Sequence, residues 1–270
     1  MCHLFLSISE NKTKSKTEEL KNIIEKFLYK GTILYKFYDG YGFAWKTHIS
    51  STKWDIYKLD KPYFYDIKSR HIIVHIINNE VIIGHVRNDE PRKTRTVASA
   101  RMDDTHPFYY KNNIFEHNGF IRNFNKHRAF LQSCILPKFS CLIRGQTDTE
   151  VLFYLLLTFL ETSENEKIAI QNMFGLLRRN GITGLFNMIY GTNNSIVVVR
   201  YSLNEGNPLP LYIDATPSFC YVFDSAKFRF FYVFDSEKFR NILITSIKIT
   251  ENQKMIKKYK ILVFSALRAA

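Results

Sequence analysis

Thr105-His106-Pro107-Phe108, continuing to Ile114-Phe115-Glu116-His117-Asn118-Gly119-Phe120-Ile121-Arg122-Asn123-Phe124, is the stretch on which the reading of this chain turns. Physically it is a loop closed by Pro107, then a short apolar strand, then a tight polar turn ending in Asn118-Gly119. Asn-Gly is the dipeptide that most readily takes φ > 0. An Asn amide beside a Gly backbone N–H supplies two converging donors, which is what a developing oxyanion needs. On its own, however, the pair reads first as a hairpin turn.

The other end of the chain gives the pair a second meaning. Cys2 directly follows Met1, and a residue that small permits removal of the methionine. The chain would then begin with a thiol and a free α-amine on one residue. With an unperturbed pKa of about 7.7–8, that amine can take the proton of its own side chain, the logic of an N-terminal nucleophile.

Taken together, the segments resemble the class II glutamine amidotransferases, whose glutaminase domain belongs to the N-terminal nucleophile hydrolases. The matching residues run in the family's order: Cys2, then Asp39-Gly40-Tyr41-Gly42, Gly84-His85-Val86-Arg87, His106-Pro107-Phe108, His117-Asn118-Gly119 and Thr147-Asp148-Thr149-Glu150. The resemblance covers residues 2–160 and is closest to the stand-alone branch, which lacks a fused synthase domain. The resemblance implies an α+β fold, a four-layer αββα sandwich with two antiparallel sheets between helical layers. It makes Cys2 the nucleophile, Asn118 and Gly119 the oxyanion donors, and Arg87 and Asp148 the grips for the α-carboxylate and α-ammonium of the substrate. The implied substrate is glutamine or a γ-glutamyl compound, cleaved through a Cys2 thioester without metal or organic cofactor. A γ-glutamyl peptide hydrolase working with a separate partner protein and a catalytically degenerate binding module stay open beside this. The departure from the pattern at Asn88-Asp89-Glu90-Pro91 is what admits the second. The arginines of the following loop, Arg92, Arg95 and Arg101, could meet a carboxylate on the leaving half of a γ-linked peptide.

Composition bounds the rest. A chain of 270 residues with 46% hydrophobic and 23% charged residues is ordinary globular material; one domain over 1–270 is expected. The formal charge of +13 comes from lysine-rich stretches and reads as solvated surface, since no nucleic-acid recognition pattern accompanies it. A basic nucleic-acid-binding protein is therefore the third reading. Cys134, Cys141 and Cys220 form no zinc or CxxC pattern and are expected to be buried reduced thiols. No signal peptide is visible, and the longest apolar run, Val151 to Leu160, is too short to cross a bilayer. A cytoplasmic setting without membrane contact is expected.

Local patterns predict the elements. His3 to Ile8 reads as a strand carrying Cys2 at its start, and Thr17 as the cap of a helix with Leu20, Ile23, Ile24, Phe27 and Leu28 on one face. Ile33–Phe37 with Tyr41–Lys46, and Ile72–Ile77 with Val81–Val86, read as hairpins. Residues 88–104 read as a loop, and residues 123–131 as a helix. Thr147 to Glu150 reads as a capping box opening a helix to Leu160. A helix over 167–180 is closed by Gly181, and strands follow from Leu185. Near-identical segments begin at Tyr221 and Tyr232 and are expected to be two strands.

Overall fold

A computed structural model of the chain describes residues 2–9, 13–48, 50–88, 101–208, 210–217, 231–235, 239–245, 254–255 and 260–265, with backbone alone after 212. Its strands form two sheets. The first runs β12 (Lys254–Met255), β9 (Tyr212–Pro217), β11 (Phe239–Thr245), β1 (His3–Ser9), β4 (Val81–Val86), β2 (Tyr41–Lys46), β3 (Asp55–Leu59), antiparallel throughout. The second runs β10 (Phe231–Asp235), β13 (Lys260–Ser265), β8 (Ser195–Leu203), β7 (Gly184–Gly191), β6 (Asn113–Ile121), β5 (Phe108–Tyr110). Here the β10–β13 pair is parallel and the others are antiparallel.

Period-2 alternation sorts the side chains into layers. Leu4, Leu6 and Ile8 of β1 join Ile83 of β4, Ile114 of β6, Ile189 of β7 and Val198 of β8 in one cluster between the sheets. The alternate residues go outward. Phe5, Tyr41, Phe43, Ile82 and Val86 pack under α1 (Lys14–Tyr29) and α2 (Ser69–Ile76), against Ile24, Phe27, Leu28, Ile73 and Ile76. After β6 come α3 (Phe124–Ser133) and the short α4 (Pro137–Ser140), and Phe115, Phe186, Met188 and Val199 pack under α5 (Asp148–Leu160) and α6 (Glu166–Arg179). The order is therefore helix, sheet, sheet, helix, the four-layer arrangement the sequence leads one to expect. Each fully buried Leu, Ile or Phe contributes about 1.5–3 kcal/mol, so three separate apolar layers hold the sandwich.

Several local readings are corrected. Ile72–Ile77 lies on a helix rather than a strand: Ile73, Ile76 and Ile77 are buried, at the i, i+3, i+4 spacing of a helix face. The β-branched run had suggested the opposite. Lys30–Leu34 continues α1 as a π-helical turn, so β2 takes β3 and β4 as partners and not residues 33–37. The cap of α1 is Thr13, whose hydroxyl accepts from the Lys16 N–H at 3.3 Å, one turn before Thr17. Half of the capping box forms. Thr147 accepts from the Glu150 N–H, but the Glu150 carboxylate turns back to the Arg144 and Gly145 N–H groups at 2.8 and 2.7 Å. Cys134 is half-buried, whereas Cys141 is exposed instead of buried; Cys220 lies outside the described residues. So do residues 89–100 of the expected loop and the whole first copy of the repeat. The second copy supplies β10 and the start of β11, one in each sheet.

Candidate active site

Register brings the two ends of the sequence motif together. In the first sheet His3 pairs with Val86, so Cys2, one residue before the strand, stands beside Arg87, one residue after its neighbour. The Cys2 sulfur accepts the Asn88 N–H at 3.2 Å. Arg87 is buried; its N–H donates to Gly40 O at 2.8 Å, and its guanidinium reaches Asp39 O at 3.5 Å. The Asp39-Gly40 segment can wrap the arginine because Gly40 has φ +118°, a conformation side chains resist. Both Cys2 and Arg87 share the parity of Leu4 and Ile83, so both belong to the inter-sheet face.

Asn118 and Gly119 come from the facing sheet, and here the structure overturns the expected turn. The hairpin turn lies at Lys111 and Asn112, with Lys111 at φ 50°. Asn118 and Gly119 sit within β6, paired with Asn187 and Phe186 of β7. Gly119 is glycine for space, not for φ. A Cβ there would lie 1.9 Å from Leu185 O and 2.5 Å from His117 Nε2. Asn118 is on the inter-sheet face with Ile114, is 2% exposed, and neither atom of its amide finds a hydrogen-bond partner among the described residues. Arg122 N–H donates toward β7, to Thr183 O, while Ile121 N–H points the other way, to Asp148 Oδ2 at 2.7 Å. Strand alternation then turns the Gly119 N–H to the same side as that of Ile121, away from β7. β5 does not extend that far. Across the layer, Cα atoms of β1 and β6 come within 8 Å of one another.

Asp148 enters from the helical layer. Its carboxylate, in the first turn of α5, is half-buried and already holds the Ile121 N–H. Thr149 beside it bonds His117 Nδ1 at 3.1 Å, and His117 Nε2 meets Leu185 O at 3.2 Å. This chain of contacts ties α5 to the outer face of β6 directly behind Asn118.

Sequence reasoning assigned no role to the buried polar residues around these five. His85 (β4) and His106 stack with ring centroids 3.8 Å apart. Burial holds both far below the ordinary histidine range, and neighbouring positive charges add to this. Both are therefore neutral. None of their ring nitrogens makes a well-formed hydrogen bond, although the His117 backbone lies close enough to His85 to act on it. Glu116, two residues before Asn118 on the same face, is fully buried with both carboxyl oxygens unpartnered among the described residues. Burial raises its pKa well above the carboxylate range. The His106-Pro107 segment closes over Gly42, where a Cβ would lie 2.2 Å from His106 O, and Lys58 Nζ fixes it through Thr105 O at 2.8 Å. Of these residues, Glu116 had a sequence signal, as the acid in the alternation Ile114, Glu116, Asn118. Among the described residues no cluster of His, Cys, Asp or Glu could hold a metal ion, and no helix is long and apolar enough to cross a membrane.

Comparison with known proteins bears on the family and the fold. The profile of the glutamine amidotransferases class-II matches residues 1–223. A glutamine aminotransferase class-II domain protein from Silicibacter pomeroyi superposes with TM-score 0.60 at 18% identity, covering 98% of this chain and 95% of that one. The glutamine phosphoribosylpyrophosphate amidotransferase from B. subtilis, solved with ADP and GMP, gives 0.55 at 15% identity, over 91% of this chain and 42% of its own. At these identities the likeness is one of fold, that of the N-terminal nucleophile glutamine amidotransferases. No curated protein matches the sequence. A family profile covering most of the chain, from the Cys2 strand through both halves of the inter-sheet site, shows that this chain belongs to the class II glutamine amidotransferases.

Proposed function

We propose that the chain hydrolyses the γ-amide of glutamine, or of a γ-glutamyl compound, through a thioester on Cys2. The observation that carries this reading is the Cys2 sulfur beside Arg87 on the inter-sheet face of one sheet, with the unpartnered amide of Asn118 on the inter-sheet face of the other, where β1 and β6 approach. With Met1 removed, the α-amine of Cys2 takes the thiol proton and the thiolate attacks the γ-carbonyl. Asn118 Nδ2–H and the Gly119 N–H hold the resulting oxyanion, each donor worth about 10²–10³ in rate. The C–N bond breaks as the α-ammonium returns a proton to the leaving nitrogen. Water then adds to the thioester, with the amine as base, and releases the γ-carboxylate and the thiol.

Arg87 grips the α-carboxylate, which a planar guanidinium suits. Asp148 meets the α-ammonium with the lone pairs left after its bond to Ile121. A γ-glutamyl peptide is preferred over free glutamine in this reading, because nothing in the glutamyl grips addresses the leaving half and Arg101, exposed and 3.9 Å from Asp103, offers a cation. A separate partner protein remains compatible with it.

The test is a mass spectrum of the intact protein followed by reaction with a diazo-ketone glutamine analogue and peptide mapping. Loss of Met1, stoichiometric label on Cys2 and no turnover by Cys2→Ala are expected. Label on Cys134 or Cys141 with Cys2 untouched would falsify the proposal.

A further inference from the structure

Glu116 is the acid that the mechanism above does not use. It lies in the middle of β6, shares the inter-sheet face with Asn118, and is 0% exposed. Buried carboxyl groups are almost always hydrogen-bonded or paired. The titratable and charged groups that share the inter-sheet layer are Cys2 before β1, His85 on β4, Arg87 after it, Lys46 on β2, Lys58 on β3, His106 before β5, and Arg200 on β8; His117 is on the outer face of β6 and Asp148 at its open edge. None of these bonds its oxygens. Arg87 is turned to Asp39 O and Arg200 to Pro208 O, and burial alone acts on the carboxyl, favouring the protonated acid.

The neighbouring amide has a complementary need. An asparagine amide has a donor end and an acceptor end of nearly the same shape, and only its hydrogen-bond network decides which end faces a ligand. Presented wrongly, Asn118 would aim its oxygen at an oxyanion. Both ends of that amide are unpartnered among the described residues, and Asn187, paired with Asn118 from β7, makes no hydrogen bond to it. Residues two apart on a strand stand about 6.5–7 Å apart along one face. A glutamate and an asparagine reaching toward each other close that gap directly or through one water.

We propose that Glu116 is a positioning residue, its carboxylic acid O–H donating to Asn118 Oδ1 and so turning Nδ2–H toward the substrate carbonyl. The proposal rests on the reading of Asn118 as an oxyanion donor. It explains why an acid is retained at a buried position where the same strand places isoleucine two residues earlier.

The test measures kcat and KM for L-glutamine and a γ-glutamyl anilide with the parent, Glu116→Gln, Glu116→Leu and Asn118→Ala, with thermal unfolding of each. Glu116→Leu keeps the size and removes the hydrogen bond. It should fold with an equal or higher Tm, yet lose about tenfold in kcat with KM little changed. Glu116→Gln still donates, through its amide, and should stay within about threefold of the parent in kcat, a difference of under half a tenfold step. A folded Glu116→Leu with parental kcat overturns the proposal, as does a Glu116→Gln as impaired as the leucine variant. The underlying reading is tested separately. If Asn118→Ala keeps parental kcat, the oxyanion assignment fails and this proposal falls with it. If Asn118→Ala is impaired but Glu116→Leu is not, only the role of Glu116 is lost.

Discussion

The layer between the sheets has two ends built from the same strands. At one end Leu6, Ile8, Val81, Ile114 and Ile196 interdigitate. The buried cation there, Lys46, is fully served. It donates to Thr192 O and Asn193 O at 2.7 and 3.1 Å and lies over the Trp54 ring at 4.6 Å. At the other end, one or two pleats along, His85, His106, Glu116 and Asn118 are buried with polar atoms unpartnered among the described residues. An unsatisfied buried polar group costs about 1–3 kcal/mol. One end therefore stabilises the fold and the other spends that stability on polar groups the described residues leave unmet, the division expected where a site is preorganised.

That contrast can be sharpened or broken by experiment. The largest expected effect is on acid stability, because the buried histidines at and beside the polar end titrate below neutral pH, whereas Lys46 of the apolar end is lowered only to about 8. His85 and His106 stay neutral in the fold, and His3, buried on the outer face of β1 against Tyr35 and Phe37, is pulled down to about 3. Unfolded histidine protonates near pH 6.5, so below that pH the unfolded chain binds protons that the native chain refuses. Through the histidines stability should be level above about pH 7 and fall as pH drops, by about 1 kcal/mol per histidine per pH unit below about pH 6, with one such increment offset by Glu116, which burial keeps protonated in the fold while the unfolded chain ionises it. Urea unfolding from pH 7.5 to 5 reads this directly; a flat profile would mean that these histidines protonate without unfolding.

Next comes the apolar end. Leu6→Ala should cost about 2–5 kcal/mol while leaving kcat of the folded fraction unchanged. A kcat change as large as that of a site variant would show that the two ends are not separable. The smallest effect is expected from Arg87→Lys. A lysine keeps the charge but not the planar grip, so KM should rise about tenfold with kcat nearly constant. An unchanged KM would remove Arg87 from substrate binding.

How much was legible in the sequence follows the same boundary. The capped helices, α5 apolar all round and α6 along one face, were readable, as were β1, β4 and the sense of β7 and β8. Segments whose composition and period disagree were not. The isoleucines of α2 favour a strand by type and a helix by spacing, and packing against α1 and the first sheet decides for spacing. The site was legible as an ordered set of segments and not as geometry. Asn118-Gly119 carries the signature of a turn, yet its glycine answers to Leu185 O, a contact that only strand pairing creates. Glu116 went unassigned because an acid inside a strand looks like a solvent-facing residue until both faces of that strand are known to be covered.

The position of β1 has a consequence for how the chain comes to be. Its two hydrogen-bonded neighbours are residues 81–86 on one side and residues 239–245 on the other. The strand next to the thiol is thus made before either neighbour, and its second edge is covered only after more than two hundred further residues have been made. While those residues are made Leu4, Leu6 and Ile8 wait with one edge open, in the kind of late, long-range pairing that folds slowly and invites association with other chains. Yields of this protein should therefore respond to translation speed and chaperone supply more than its finished stability would suggest.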